Sequence, residues 1–446
     1  MQIPFIYTGL SFLYPTLSTC QFNNMVLIAT ALVLGSKFSL SEINTMWLEK
    51  KCISTLSYFL SHSKISPEEL QLAYLMRVID LYKVSGGYFI IDDTMQHHTN
   101  YCKWIHGVFV LFDHALKTNL RATCVVVLYH SNGNNIKFPI KHEIYYKDTD
   151  KMDWQKGVKT RCIPKHKLAI QMIEWALNEG FPKCVVLADA WFGIGPFVKE
   201  LKRLKLSYVL EIKSSYKVKV PSEKPKLTPK GRVAKNQFDL IELKEFFNNI
   251  ARIIQCGFAA DPLKNKPEKV LYHTKTVTNC LNSIPGMHRI VQSIDPQKCT
   301  VKYLITDNLT WEASRILSTY NHRWVIEEFF RNAKQLSDME GATIRSKQGV
   351  TLALCLVSWI DFLLHYENYK HCTAGKLPKE SLTIPSIVRR VQYENIEAFV
   401  EKVQKDEGFV KKWLEVAKKD LNRKRKRRYE LINMGEPQKE QINQAA

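Results

Sequence analysis

The chain has 446 residues, of which 45% are apolar and 11% aromatic, and this composition indicates a folded globular protein rather than a disordered one. Its 64 Lys and Arg residues outnumber 43 Asp and Glu residues, which gives a formal net charge of +21. Such an excess favours a polyanionic partner, above all nucleic acid, over a membrane surface. The 11 cysteines form no C-x-x-C pair, so they offer no structural zinc site and fit free thiols in a reducing cytoplasm.

The N-terminal 85 residues are predicted to be helical. The first 36 residues carry no charged side chain and so lack the cationic start of a signal peptide. The apolar run from Met25 to Gly35 is too short to span a bilayer and is expected to be a buried helix. We therefore predict a helical N-terminal domain over residues 1–85, either a reader of DNA or a plain helical bundle, and no membrane association.

Short apolar runs alternate with helical patterns from residue 86 onward. Tyr88 to Asp92, Ala122 to His130, Lys183 to Asp189 and Leu206 to Lys213 are typical of buried strands. His166 to Gly180 has the periodicity of a helix and ends at a glycine. Strands followed by helices predict an α/β core, whose first part we assign to residues 86–212.

Residues 213–300 have a looser pattern. Between Lys213 and Lys235 there are eight Lys or Arg residues and one Glu, interrupted by prolines and glycines. A solvated insertion of loops or short strands would explain this pattern. The one-sided charge favours a basic surface for DNA.

The core resumes over residues 301–366. Val301 to Asp307 is a predicted strand, a helix follows from about Trp311 past Lys334, and residues 349–366 form a predicted buried packing helix. Residues 367–446 form a basic C-terminal region with a polar tail that we expect to be disordered. This region contains six consecutive basic residues, which we expect to contact phosphates: Arg423, Lys424, Arg425, Lys426, Arg427 and Arg428.

One helix near residue 320 carries an unusual set of side chains. Tyr320, Arg323, Glu327 and Lys334 fall within about 60° of each other on an ideal helix. A carboxylate there lies between an arginine and a lysine, with a tyrosine before it. Such a face could hold a metal ion and grip a phosphate backbone, although an ordinary salt-bridge network would show the same spacing.

Acidic residues also end two of the predicted strands. Asp92 and Asp93 end the first apolar run and Asp189 ends the run that begins at Lys183. Strand ends beside a long helix are where a sheet-based site gathers carboxylates. Together with Glu327, they could hold two hard cations through oxygen ligands.

These segments resemble a known family. IIDDT, VVLADAWFG and YNHRWVIEEFFRNAK are similar to the three catalytic regions of bacterial insertion-sequence DDE transposases, in the subgroup marked by a Tyr-x2-Arg-x3-Glu-x6-Lys signature. The resemblance covers roughly residues 86–366. It implies an RNase H-like mixed sheet flanked by helices, a helical N-terminal domain, and a β-rich insertion before the last catalytic helix.

The resemblance also implies roles for individual residues. Asp92, Asp189 and Glu327 would bind two Mg²⁺ ions, for which Mn²⁺ could substitute. Tyr320, Arg323 and Lys334 would contact phosphates at the transposon end. The partners would be transposon-end and target DNA, bound by a homodimer in a cytoplasmic, nucleoid-associated complex.

Three alternatives stay open at this level. Asp93 is the alternative to Asp92, since strand alternation allows only one of them to face the metal ions. Glu328 is the rival of Glu327, but it lies about 100° further round the helix. Relatives that form a hairpin intermediate often use a tryptophan in the insertion. Here Tyr272, Met287 or His288 would have to replace it, or the chemistry avoids a hairpin.

The predicted function is cut-and-paste DNA transposition by two-metal-ion cleavage and strand transfer at terminal inverted repeats. One alternative is an RNase H-like endonuclease that cuts DNA without joining ends. The other is a catalytically inactive DNA-binding repressor, which would bind the repeats without turnover.

Overall fold

The structure is a computed structural model, and the residues it describes are 3–46, 51–99, 102, 104–113, 116–146, 162–234, 237–259, 269–373, 383–406, 408–416 and 418. The N-terminal part is helical, as predicted. It comprises α1 (Pro4–Gly9), a 3₁₀ helix (Ser11–Thr16), α2 (Thr19–Val33), α3 (Leu40–Thr45), α4 (Ile53–His62) and α5 (Pro67–Tyr82). Ser18 and Gln21 form a reciprocal capping box that fixes the start of the apolar helix α2.

The strands form one large mixed sheet and a separate two-stranded ribbon. They are β1 (Tyr88–His98), β2 (Phe109–Asp113), β3 (Thr118–Ser131), β4 (Lys137–Tyr145), β5 (Val185–Ala188), β6 (Tyr208–Ile212), β7 (Lys217–Pro221), β8 (Phe238–Glu242), β9 (Ile254–Ala259), β10 (Lys269–Cys280), β11 (Met287–Asp295) and β12 (Thr300–Thr306). The remaining helices are α6 (Lys165–Asn178), α7 (Gly195–Arg203), α8 (Leu243–Asn248), α9 (Ala313–Asn321), α10 (Trp324–Leu336), α11 (Lys347–Thr373) and α12 (Ile384–Lys405).

The centre of the large sheet consists of three parallel strands. β5 pairs in parallel with β1 on one side and with β6 on the other. β3 lies antiparallel to β1, and β4 lies antiparallel to β3. This order, β4-β3-β1-β5-β6 with helices on both faces, is consistent with the RNase H-like fold that the sequence predicted.

The predicted β-rich insertion extends this sheet. β12 pairs antiparallel with β6, and β11, β10 and β9 follow outward in that order. β7 and β8 pair with each other as a separate ribbon that carries two lysines of the basic segment, Lys217 and Lys219. The long strands β10 and β11 show that regular sheet structure continues through a segment whose sequence has no clear strand pattern.

The two faces of the sheet belong to different cores. Phe89 and Ile91 of β1 lie in the core shared with α6, α7 and the N-terminal helices, whereas Ile90 lies in the core shared with α9 and α10. The alternation of side chains along a strand therefore sends Asp92 toward α10 and Asp93 toward α6. The N-terminal helices share their core with the sheet, and the predicted domain boundaries stay predictions.

Helix α11 is the buried packing helix predicted from residues 349–366. In the described part of the chain it contains the one helix, Lys347–Lys370, that is long and apolar enough to cross a membrane by length and composition, and 89% of its apolar window is buried inside the protein. A buried core helix passes the same test. Its neighbours include α2, α4, α5 and β4.

A buried histidine on β3 predicts how stability depends on pH. His130 lies between Phe138 and Phe181, and burial lowers its pKa from 6.5 to about 3. In the unfolded chain His130 takes up a proton below about pH 6.5, whereas in the folded chain it does so only near pH 3. Proton uptake therefore favours the unfolded chain, and the free energy of unfolding falls as the pH falls from 6.5 toward 3.

We expect His130→Leu to become more stable relative to the wild type by about 1.4 kcal/mol for each pH unit below 6.5. Urea unfolding at a series of pH values measures this difference. If the difference in the free energy of unfolding between the two proteins stayed constant from neutral to acidic pH, this prediction would be contradicted.

Candidate active site

Three acidic residues lie side by side on one face of the central parallel strands. Ile91 of β1 is level with Ala188 of β5, so Asp92 and Asp189 occupy neighbouring positions where these strands end their pairing. Ala188 is level with Leu210 of β6, which places Glu211 next to Asp189 on the other side. Alternation directs all three side chains toward α9 and α10.

The turn after Asp189 is held tightly. The Asp189 carboxylate accepts a hydrogen bond from the backbone N–H of Trp191 at 3.0 Å, and the Asp189 carbonyl accepts those of Phe192 and Gly193 at 3.1 and 3.2 Å. Phe192 is fully buried and anchors the turn in the core. The Asp189 side chain is therefore fixed by the backbone that follows it.

Gly193 allows this turn to approach β6. A Cβ atom at Gly193 would lie 2.0 Å from the carbonyl oxygen of Glu211, whereas one at Gly86 would meet nothing within 4 Å. We expect Gly193→Ala to lower the free energy of unfolding by about 1–3 kcal/mol because the backbone must move. Urea unfolding measures this, with Gly86→Ala as the matched control, and an equal effect of both substitutions would count against the steric explanation.

The helix that carries the predicted signature is divided. The sequence predicted one continuous helix from about Trp311 past Lys334, but α9 ends at Asn321 and α10 begins at Trp324. At this junction and in the first turn of α10, the N–H groups of His322, Arg323, Val325 and Ile326 donate to carbonyls three residues earlier rather than four. This tighter turn changes the direction of the side chains from those of an ideal helix.

Arg323 bridges two of the predicted metal ligands. Its Nη1 atom donates to the Asp92 Oδ2 atom at 2.8 Å, and its Nη2 atom donates to the Glu327 Oε1 atom. The arginine side chain is only 11% exposed. The structure thus brings Asp92 and Glu327 to opposite sides of one cation.

The electrostatics of the site reflect burial and crowding of carboxylates. Burial and then the neighbouring charge of Asp189 raise the pKa of Asp92 to about 7, against the opposing effect of Arg323. Burial also raises the pKa of Asp189, which the N–H of Trp191 and the charge of Arg323 oppose. A bound cation is therefore expected to lower the pKa of both carboxyl groups, because it favours their charged forms.

The donor set suits a hard divalent cation. Asp92, Asp189 and Glu327 supply carboxylate oxygens, the ligands that Mg²⁺ prefers, and Arg323 places a positive charge between two of them. Among the residues that the structure describes, no three His, Cys, Asp or Glu side chains are close enough together to hold a metal ion. Of the predicted triad, Asp92 and Glu327 contact the Arg323 guanidinium, and Asp189 lies on the neighbouring strand with the N–H of Trp191 as its partner.

Asp93 lies on the opposite face of β1. Its carboxylate accepts a hydrogen bond from Lys165 Nζ at 2.8 Å, and the thiol of Cys124 lies 3.4 Å away. The geometry favours Asp92 over Asp93 as the partner of Glu327. The rival Glu328 points away from this pair and lies 3.5 Å from Lys137.

The other signature residues contact protein groups. The buried Tyr320 donates its hydroxyl hydrogen to Glu211 Oε2 at 2.7 Å, and Lys334 donates to the Met95 carbonyl at 2.7 Å and pairs with Glu340 at 2.9 Å. A phosphate contact would require these bonds to open, so the DNA-binding roles of Tyr320, Arg323 and Lys334 stay predictions.

Glu211 is the site residue that sequence reasoning missed. Besides Tyr320, it accepts a hydrogen bond from Lys302 at 3.1 Å, so it connects β6, β12 and α9. Its position in the apolar strand Leu206 to Lys213 was visible in the sequence. The signal that could have identified it is alternation, which places Glu211 on the same face as Asp189 once the strands are paired in parallel.

Histidines near the site also have protein partners. β1 does not end at Asp92 and Asp93 as predicted but continues to His98, and in this extension His97 contacts Asp113 at 2.8 Å and His98 contacts Thr123 at 3.2 Å. His288 is buried against the hydroxyl of Tyr208 at 2.9 Å, which makes it unsuited to hold a base. The basic cluster from Arg423 to Arg428 and the C-terminal tail lie outside the described residues.

Comparison with known families agrees with this geometry. Residues 27–247 match a family model described as a DDE superfamily endonuclease, and residues 158–360 match one described as a transposase DDE domain. Asp92 and Asp189 lie within the first match, and Asp189 and Glu327 within the second. No curated protein matches the chain. The two overlapping matches, on a mixed α/β fold with acidic residues on neighbouring central strands, support a DDE transposase.

Proposed function

We propose that this protein catalyses cut-and-paste DNA transposition, and that Asp92, Asp189 and Glu327 are its catalytic carboxylates. The observation that carries the proposal is the convergence of Asp92 and Glu327 on one guanidinium, with Asp189 on the neighbouring strand. A half-buried cluster of acidic side chains is costly for a fold to maintain, which favours a functional reason for it. Two family models of DDE enzymes cover these three residues.

The reaction would proceed in two displacements at phosphorus. In the first, a water oxygen attacks the phosphate at the transposon end, and the bond to the 3′-oxygen breaks to leave a free 3′-hydroxyl. In the second, that hydroxyl attacks a phosphate of target DNA and displaces another 3′-oxygen. The three carboxylates would hold two Mg²⁺ ions, or Mn²⁺, which when bound activate the attacking oxygen and stabilise the leaving oxygen.

The residues of the chain would position the DNA. The planar guanidinium of Arg323 suits bidentate contact with a phosphate once it leaves the carboxylates, and Lys334 and Tyr320 lie on the adjoining helices. The basic segment from Lys213 onward and the Arg423 to Arg428 cluster would add contacts that carry no sequence information. The net charge of +21 supports a DNA partner.

We further propose that the protein belongs to the bacterial insertion-sequence subgroup with the Tyr-Arg-Glu-Lys signature. The signature residues have the spacing of that subgroup. In this proposal a homodimer holds two transposon ends in a nucleoid-associated complex in the cytoplasm. This proposal requires terminal inverted repeats on both sides of the coding DNA, and a short duplication of target DNA outside them.

A strand-transfer assay tests the proposal. The substrate is a labelled duplex that contains the DNA flanking the coding sequence, incubated with the full chain, Mg²⁺ and a supercoiled target plasmid. Cleavage at the repeat ends followed by joining to the plasmid is expected. Cleavage without joining would instead identify an endonuclease, and binding without either product would identify a repressor.

A further inference from the structure

An exposed tryptophan stands beside the central aspartate of the site. Trp191 follows Asp189 by two residues, its N–H donates to the Asp189 carboxylate at 3.0 Å, and its residue surface is 52% exposed. The turn that bears it cannot relax easily, because Phe192 is buried and Gly193 lies against the backbone of β6. The indole ring is thus a large apolar surface kept in solvent by a rigid support.

Two cationic side chains accompany the ring. The ammonium group of Lys165 lies 5.1 Å from the centre of the Trp191 ring, and that of Lys213 lies 6.0 Å away. Lys165 is held in place by its 2.8 Å ion pair with Asp93, which gives Asp93 a role on its own face of β1. The ring therefore lies near one cation that an ion pair fixes, Lys165, and one exposed cation, Lys213, at the end of the strand that Asp189 follows.

We infer that Trp191 is a stacking platform for one unpaired nucleobase of the DNA strand held at Asp189, with Lys165 and Lys213 contacting the flanking phosphates. A flat, exposed, rigid aromatic ring between lysines has the features of single-stranded nucleic-acid sites, where bases stack on aromatic side chains and cations track the backbone. This inference rests on the proposed function, since it takes the strand at Asp189 to be DNA.

A nucleobase explains the arrangement better than a protein partner does. An apolar protein surface would have to bury the exposed ammonium group of Lys213 next to the indole, at a large desolvation cost. A nucleotide within a strand instead offers a base ring that can stack on the indole, and a phosphate on each side that can contact one of the two lysines. Every base has a π face, so the platform would recognise an unpaired base without selecting its identity.

The test measures binding without cleavage. The probes are a short fluorescein-labelled duplex with one unpaired thymidine and the same duplex with an abasic residue at that position, titrated with the full chain in EDTA and followed by fluorescence anisotropy. The wild type is expected to bind the thymidine duplex more tightly by about fivefold to a hundredfold. Trp191→Ala is expected to bind both duplexes alike, with the affinity of the wild type for the abasic one.

Two further variants separate stacking from other effects. Trp191→Phe should keep part of the preference because phenylalanine still stacks, and Trp413→Ala, which removes a tryptophan of 41% exposure from the C-terminal region, should keep all of it. With 2-aminopurine as the unpaired base, stacking should quench its fluorescence in the wild type but not in Trp191→Ala.

Failure of this inference differs from failure of the proposed function. Equal affinity of the wild type for both duplexes, or a full preference retained by Trp191→Ala, would overturn the stacking platform and leave strand transfer untouched. Absence of binding to any DNA by the wild type would overturn both.

Discussion

Glu327→Gln and Asp189→Asn are each expected to lower the rate of DNA strand cleavage by on the order of a thousandfold. Both substitutions keep the shape of the side chain but remove the negative charge that would hold a divalent cation. Asp189 is fixed by the N–H of Trp191, and Glu327 pairs with Arg323 across from Asp92, whereas the adjacent Glu328 lies 3.5 Å from Lys137 instead.

The measurement is the initial rate of cleavage of an end-labelled repeat duplex at saturating Mg²⁺. Glu328→Gln is the matched control for Glu327, because it neutralises the adjacent residue on α10, whose side chain lies 3.5 Å from Lys137 instead. The control should cleave at a rate close to that of the wild type. Full cleavage by both Glu327→Gln and Asp189→Asn would refute the assignment of the catalytic carboxylates.

Much of the core could be predicted because its signals are local. Apolar runs such as Tyr88 to Asp92 identify buried strands, and Asp189 directly after β5 is visible without any knowledge of pairing. The predicted strand end at Asp92 was wrong, because β1 continues to His98. Period-2 alternation also predicted that Asp92 and Asp93 would face opposite sides, and the structure places only Asp92 beside Glu327.

Glu211 could not be recognised in the same way. A single glutamate inside the apolar strand Leu206 to Lys213 is indistinguishable from a solvent-facing residue until the register of β6 against β5 is known. Register depends on contacts between segments far apart in sequence, which no local pattern encodes. The same limit applies to Trp191, whose significance comes from Lys165 and Lys213 on other elements.

The division between α9 and α10 shows a second limit of prediction from the sequence, which concerns the directions of side chains. Placing Tyr320, Arg323, Glu327 and Lys334 on one stripe assumed an ideal helix with 3.6 residues per turn. The turn at His322 and Arg323 breaks that geometry, so Tyr320 bonds to Glu211 while Arg323 bonds to Asp92 and Glu327. The spacing selected residues that lie at this junction, but the partners of these residues depend on a local deviation of the backbone.

Arg323→Gln is expected to lower the free energy of unfolding by about 3 kcal/mol at about pH 8, and added Mg²⁺ should restore much of this loss. At this pH Asp92, with a pKa of about 7, is charged in the wild type, and removal of the guanidinium leaves Asp92 and Glu327 without the cation between them. Breaking a largely buried ion pair from one side is costly, because the remaining carboxylate must either stay charged without its partner or take up a proton.

Urea unfolding with and without millimolar Mg²⁺, in the absence of DNA, measures both effects. In the wild type Arg323 competes with a cation for the same carboxylates, so Mg²⁺ should stabilise the wild type less than the variant. Arg203→Gln is the matched control, because Arg203 also bridges two carboxylates, Glu174 and Glu200, but is 53% exposed.

Arg203→Gln should change the free energy of unfolding little, since solvent screens exposed ion pairs. Mg²⁺ should stabilise this control by the same amount as it stabilises the wild type. An equal response of Arg323→Gln and the wild type to Mg²⁺ would show that the guanidinium and the metal ion do not share a position. A larger response of the variant would mean that Arg323 must leave the carboxylates when metal binds. It would then be free to contact the phosphate of the incoming strand, as the signature spacing predicts.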